Sequence, residues 1–143
     1  GEGVVDAQVA KDVSLMLEGV VSPNGTAPEA QIPGYRVAGK TGTADRYDPA
    51  VGGYSGKTAS FIGYAPADDP EIVVAVILQR PIKGYFGGLV AAPVFHDVMT
   101  YALQALKVPP TGTTAPALTL DVDPAAAEAD PTVLRNVRGK NGR

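Results

Sequence analysis

The sequence predicts an α+β fold: an antiparallel sheet flanked by N- and C-terminal helices. Three observations carry that expectation. Apolar residues recur at three- and four-residue steps near the start of the chain and again from about Val90 to Leu106, which is a helical period. Between these stretches lie three extended segments rich in β-branched and aromatic residues. The segments are separated by Pro, Gly and Asp clusters of the kind that turn a chain.

Taken in order, Asp6 can cap a first helix over about Ala7–Val21, with Val9, Val13, Met16, Leu17 and Val20 as its apolar positions. Pro23 and Gly25 forbid its continuation, and a Pro/Gly-containing loop follows to Pro33. Tyr35–Ala44 reads as a strand, since Tyr35, Val37 and Thr41 favour extended backbone and no helix signal is present. Asp45–Gly56, with its Asp-Pro and Gly-Gly steps, is expected to be a long polar connection. The second strand is placed at Thr58–Ala65. The turn PADDP, Pro66–Pro70, then leads into Ile72–Gln79, a nearly continuous β-branched run expected to be covered on both faces. After PIKGYFGG comes the last helix, with Phe95, Val98, Met99, Ala102, Leu103 and Leu106 on one face and Pro93 in the first turn, where proline is tolerated. Beyond Val108 the composition shifts to Pro, Thr, Ala and Asp. The expected division is a folded portion over residues 1–108 and an irregular tail over 109–143.

Composition excludes several classes. The chain has 143 residues and 45% hydrophobic content, enough for one domain with a core. Twelve Lys plus Arg against fifteen Asp plus Glu give a net charge of -3 with no basic cluster, so nucleic acid is not an expected partner. Without Cys there is no thiolate chemistry, and the single His96 cannot build a histidine-based metal site; no metal or cofactor is expected. The longest strongly apolar run, Ile72–Leu78, is far short of the roughly 20 residues that span a bilayer. No membrane contact is expected from this segment. The opening GEGVVDAQ lacks an initiator Met, and the chain is expected to be a piece of a longer protein whose membrane anchor lies elsewhere.

One stretch, GYRVAGKTGTA from Gly34 to Ala44, carries two incompatible motifs. Gly34–Thr41 match the phosphate-loop pattern G-x-x-x-x-G-K-[ST], while Lys40, Thr41 and Gly42 spell the K-T-G of serine acyl-transfer enzymes. A phosphate loop needs a buried strand before it and a helix opening at the Gly-Lys-Thr. APEAQIP is no buried strand, and Gly42, Asp48-Pro49 and Gly52-Gly53 cannot continue a helix, so a nucleotide-binding reading is rejected. An acyl-transfer site instead needs amides aimed at a developing oxyanion and a cation near an anionic substrate end. An edge strand lets a peptide lie alongside as an added strand, and Gly42 removes a side chain that would obstruct it. Lys40 then supplies charge, the hydroxyls of Thr41 and Thr43 can donate to a carboxylate, and Thr43 N–H is a candidate oxyanion donor. Strand alternation sends neighbours to opposite faces, so these groups can act together only along the rim.

GYRVAGKTGTA, SFIGYAPADDPEIVVAVILQRP and GYFGGLVAAPVFHDVM, in this order and spacing, resemble the C-terminal part of the transpeptidase domain of class B penicillin-binding proteins, particularly the septal transpeptidases of cell division. The resemblance covers about Val9–Pro109. It implies part of the penicillin-binding protein/β-lactamase-like fold and a serine acyltransferase that crosslinks peptidoglycan stem peptides and is acylated by β-lactams. It implies a place on the outer face of the cytoplasmic membrane and divisome partners reached through the parent protein. By resemblance Lys40 joins the charge and proton network, Thr41, Gly42 and Thr43 bind substrate, and Thr43 N–H completes the oxyanion hole. The same resemblance places Tyr85 and Phe86 near the mouth of the cleft. A β-lactamase, a D,D-carboxypeptidase or a β-lactam sensor shares the K-T-G strand and is the alternative.

The chain departs from the family pattern in one respect. The serines Ser14, Ser22, Ser55 and Ser60 are not followed by Lys three positions on, so S-x-x-K is absent and the chain alone is expected to be inactive. Ser22-Pro23-Asn24 formally satisfies S-x-N, yet it sits where a helix stops. His96 and Asp97 open the final helix, and a solvated first turn accounts for them. Tyr47 and Tyr54 fall in the expected connection without a defined role.

Overall fold

The computed structural model describes residues 3–115, which form the predicted α+β arrangement. Helix α1 (Ala7–Val21) starts where Asp6 accepts the Gln8 N–H at 2.8 Å, and it ends at Ser22, whose N–H bonds back to Glu18 and Gly19. A 3-10 turn at Pro28–Ala30 leads to strands β1 (Ala38–Asp48), β2 (Gly53–Ala65) and β3 (Ile72–Gln79). They form an antiparallel three-stranded sheet in the order β1-β2-β3. A short helix α2 (Gly87–Val90) precedes α3 (Ala92–Ala105), with Pro93 in the first turn. Residues 116–143 of the expected tail lie outside the described residues.

The core sits on one face of the sheet. Phe61 stands opposite Thr41 on one side and Val76 on the other, so these three share a face. Phe61 packs edge-to-face on Phe95, ring centroids 4.7 Å apart, and Met99 and Leu103 from α3 complete the cluster with Val21 from α1. The opposite face of β3 is open: Val73 and Ile77 are 69% and 58% exposed. The expectation that β3 is covered on both faces is therefore wrong for the described residues, because α3 packs on the Val76 side only. The expected face of α1 also needs correction. Val9, Val13 and Met16 are exposed, and the helix turns Ser14, Glu18 and Val21 inward instead. Ser14 Oγ reaches Tyr64 OH at 2.7 Å. On α3, Val98 and Leu106 are likewise exposed, while Phe95, Met99 and Leu103 are buried.

A buried ion pair joins α1 to the approach of β1. Arg36 Nη2 and Nε donate to the Glu18 carboxylate at 2.6 and 2.8 Å, and the Glu18 side chain is only 5% exposed. The Glu18 hydrogen bond raises the Arg36 pKa above its ordinary value. Because Arg36 is committed to α1 and Tyr35 OH donates to Val108 O at 2.6 Å, the strand begins at Ala38 rather than at Tyr35.

The expected long connection over Asp45–Gly56 is instead a hairpin. Pairing continues to Asp48↔Gly53, with a register shift between Asp45 and Tyr47. Cross-strand contacts hold this extension together: Lys57 Nζ to Asp45 Oδ1 at 2.6 Å, and Tyr47 edge-on to Tyr54 at 6.1 Å. At its end Asp48 accepts from Ala50 N–H at 3.1 Å and pairs with Arg46 and Arg80. The Ala50 hydrogen bond, followed by the charges of Arg80 and Arg46, holds the Asp48 carboxyl below the usual carboxylate range.

Removing Arg36 strands Glu18 as an unpaired buried charge, whereas Arg36 itself also faces Asp68 at 3.8 Å. Arg36→Met is expected to cost about 3 to 5 kcal/mol in urea melts, and Glu18→Leu with Arg36→Met is expected to recover most of it. A single-variant loss under about 1 kcal/mol would show that the pair does not hold α1 to the strand.

Candidate active site

The K-T-G residues lie inside β1, which continues through Thr41 to Asp48; no helix opens there, so the geometry of a phosphate loop is absent. Among the described residues β1 has a strand on one side only, leaving its outer edge free. Register puts Thr41 and Thr43 on the same face as Phe61 and Ala59, while Lys40 starts from the other face opposite Ile62. The lysine stem bends round the free edge. Its Nζ lies 3.1 Å from Thr41 O and 3.2 Å from Thr41 Oγ1, so the cation and the hydroxyl meet on the rim despite alternation. Thr26 Oγ1, from the turn after α1, stands 3.4 Å from Thr41 Oγ1.

The segment after β3 closes on the same place. Gly87 N–H donates to Thr43 Oγ1 at 3.1 Å, which brings the adjacent Tyr85 and Phe86 beside the K-T-G strand. Their rings are 4.6 Å apart and tilted by 40°, and at 45% and 55% exposure they stand at the surface rather than under the loop. Lys57 Nζ sits 5.8 Å from the Tyr85 ring centroid while bonded to Asp45. That bond holds the Lys57 ammonium above its ordinary pKa.

The two glycines of this region are not equivalent. A Cβ at Gly42 would meet only the Ser60 hydroxyl oxygen and, at 3.8 Å, its Cβ; a turn of that hydroxyl relieves the contact. A Cβ at Gly87 would lie 2.6 Å from Gly42 O and closer still to Ser60 O, both backbone atoms that cannot give way.

Lys40, Thr41, Gly42 and Thr43 are thus gathered on one rim, with Tyr85 and Phe86 next to it. His96 is not among them. It lies beyond the first turn of α3, half-buried, and its Nδ1–H donates to Gln31 O at 2.5 Å, so the solvated first turn expected for it is not what is found. It lines a cavity of about 720 Å³ with Glu18, Arg36 and Thr113, and none of the K-T-G residues lines that cavity. Ser22 caps α1, its hydroxyl donating to Gly19 O at 2.7 Å, which accounts for the Ser22-Pro23-Asn24 stretch as a helix stop. Sequence reasoning passed over Thr26, Lys57 and Gly87. Among the described residues no group of three or more His, Cys, Asp or Glu side chains is placed to hold a metal ion, and no helix is long and apolar enough to cross a membrane.

Residues 1–100 match the family described as the penicillin binding protein transpeptidase domain. The chain belongs to that family. It is 45% identical over 109 residues to the probable peptidoglycan D,D-transpeptidase PbpC of Pseudomonas aeruginosa, covering 74% of this chain and 19% of the relative. Penicillin-binding protein PbpB of Mycobacterium tuberculosis is 39% identical over 127 residues, covering 82% and 19%. Among solved structures, the transpeptidase domain of Burkholderia pseudomallei penicillin-binding protein 3 superposes with a TM-score of 0.68 at 47% identity, over 78% of this chain and 34% of that one. Penicillin-binding protein 3 of Mycobacterium tuberculosis complexed with ampicillin superposes with a TM-score of 0.70 at 36% identity, over 83% and 28%. The chain therefore spans about a fifth of the length of these curated relatives and about a third of these solved chains. The penicillin-binding protein/β-lactamase-like fold expected from the sequence agrees with these neighbours.

The steric contrast between the two penicillin-binding-domain glycines is measurable. Gly87→Ala is expected to lose about 2 kcal/mol or more in denaturant melts, because backbone must move. Gly42→Ala is expected to stay within about 1 kcal/mol of wild type. Equal losses would show that Gly87 is not pressed against the sheet.

Proposed function

We propose that this chain is the sheet-bearing part of a peptidoglycan D,D-transpeptidase that crosslinks stem peptides in septal wall synthesis and is acylated by β-lactams. The observation that carries the reading is the free edge of β1, where Lys40 Nζ, the hydroxyls of Thr41 and Thr43, and the Gly87 N–H converge. The names of the relatives and the ampicillin complex of the Mycobacterium tuberculosis neighbour support it. Residues 1–108 are then a portion of the catalytic domain, and 109–143 a tail.

In this reading the donor peptide lies along the outer edge of β1 as an added strand, past the small Gly42. Its terminal carboxylate meets the hydroxyls of Thr41 and Thr43, and the Lys40 ammonium beside Thr41 favours that anion. When a serine oxygen adds to the scissile carbonyl, the oxygen that gains the negative charge is met by the Thr43 N–H, a donor already in place. Tyr85 and Phe86 wall the cleft and limit water. The nucleophilic serine, its S-x-x-K lysine and the S-x-N group come from the remainder of the parent protein. The parent acts at the outer face of the cytoplasmic membrane through an anchor outside this chain, alongside divisome partners.

The test uses second-order acylation rates. The 143-residue chain alone is expected to take no covalent label from a fluorescent penicillin, and the full-length protein is expected to take it as a long-lived acyl-enzyme; rapid release would instead mark a hydrolase. In the full-length protein, Thr43→Ala is expected to slow a carboxylate-bearing β-lactam about ten- to a hundredfold and to leave its methyl ester nearly unchanged. Equal slowing of acid and ester would remove the carboxylate role of the hydroxyl.

A further inference from the structure

We infer that the main-chain N–H of Gly87 is a positioning donor for carboxylate recognition: it occupies a lone pair of Thr43 Oγ1 and so leaves that hydroxyl's proton for the substrate. The inference rests on the transpeptidase reading above and assigns a further residue to it.

A threonine hydroxyl has one proton and two lone pairs, and it rotates to suit its neighbours. At Thr43 the neighbour is an N–H, which can only donate, so the oxygen must accept there. Among the described residues Thr43 Oγ1 has no other hydrogen-bond partner, and the residue is exposed. The proton is thereby left unspent and free to turn outward. Thr41 is arranged in the same sense by a different group: Lys40 Nζ, also a pure donor, lies 3.2 Å from its Oγ1. Thr41 also has Thr26 Oγ1 at 3.4 Å, a hydroxyl that can give or take a proton, so Thr43 is the hydroxyl whose proton is assigned to the carboxylate, with Thr41 beside it on the same face of β1. Without the Gly87 donor the Thr43 hydroxyl could turn its proton into the protein.

The placement of the Gly87 N–H follows from the absence of a side chain there. The segment presses onto the backbone of Gly42 and Ser60, and the next glycine, Gly88, presses onto Thr26 O; neither position has room for a Cβ. Beyond them the chain is anchored by Ala91, Ala92 and Phe95, all fully buried in the core. The donor is therefore held by the same packing that holds the sheet, and Tyr85 and Phe86, just before it in sequence, share its fixed position.

Gly87→Ala perturbs the backbone contact as well as the bond, so the test replaces residue 87 of the full-length protein by glycolic acid through nonsense suppression in cell-free translation. This turns the N–H into an ester oxygen without adding a side chain. Acylation by a carboxylate-bearing β-lactam is expected to slow about tenfold while its methyl ester changes less than about twofold. No change with the acid, or equal slowing of both, overturns the inference. A second measurement is independent of turnover: the Gly87 amide is expected to exchange with deuterium at least about tenfold faster in Thr43→Val than in wild type or Thr43→Ser, which keeps the oxygen. Equal exchange in Thr43→Val and wild type also overturns it. If the transpeptidase reading itself fails, wild type is acylated by neither compound, and the exchange result still decides whether Gly87 holds the hydroxyl.

Discussion

A strand at the edge of a sheet has no second strand neighbour to hold it, and the rest of this structure answers that constraint. β1 has β2 on one side and no strand on the other among the described residues. Its position is fixed instead at points along its length. The Glu18–Arg36 pair fastens its approach to α1. Phe61, packed on Phe95, supports its middle from β2. The Asp45–Lys57 pair and the Tyr47–Tyr54 contact stiffen its far end, and Gly87 crosses over to Thr43. An open edge is also a template for unwanted pairing. Charge at Lys40 and Asp45, both exposed, discourages that while leaving the peptide groups available.

The same constraint resolves a conflict in the sequence. Alternation puts Lys40 and Thr41 on opposite faces, which argues against a shared site. In a central strand they would indeed be separated by the sheet. At an edge the lysine stem has a path round the rim, and its ammonium reaches the hydroxyl of its neighbour. The usefulness of three consecutive residues thus depends on where the strand lies, not on which residues they are.

What was legible in the sequence follows the range of the forces involved. The bounds of α1 and β3 come from local signals, an Asp cap, a Pro-Gly stop and a run of β-branched residues, and the structure keeps them. The faces of α1 and β3 depend on what packs against them, and there pattern misled: Val9, Val13, Met16, Val73 and Ile77 read as core and are exposed. The hairpin is not legible from local pattern because its stabilising ion pairs, Asp45 with Lys57 across the strands and Asp48 with Arg80 just beyond β3, join residues 12 and 32 positions apart. The K-T-G group and the aromatic pair were visible as motifs. Gly87 was not, since a glycine after two aromatics reads as a turn, and only its backbone contact with Gly42 and Ser60 gives it meaning.

The central claim is that the outer edge of β1 receives the substrate as an added strand. The most direct measurement is residue-resolved hydrogen exchange of the full-length protein before and after acylation by a carboxylate-bearing β-lactam. Protection is predicted to rise at Thr43 and its outward-facing neighbours on β1 while β3 stays unchanged. Unchanged exchange at Thr43, or a rise shared equally by all three strands, would contradict the account.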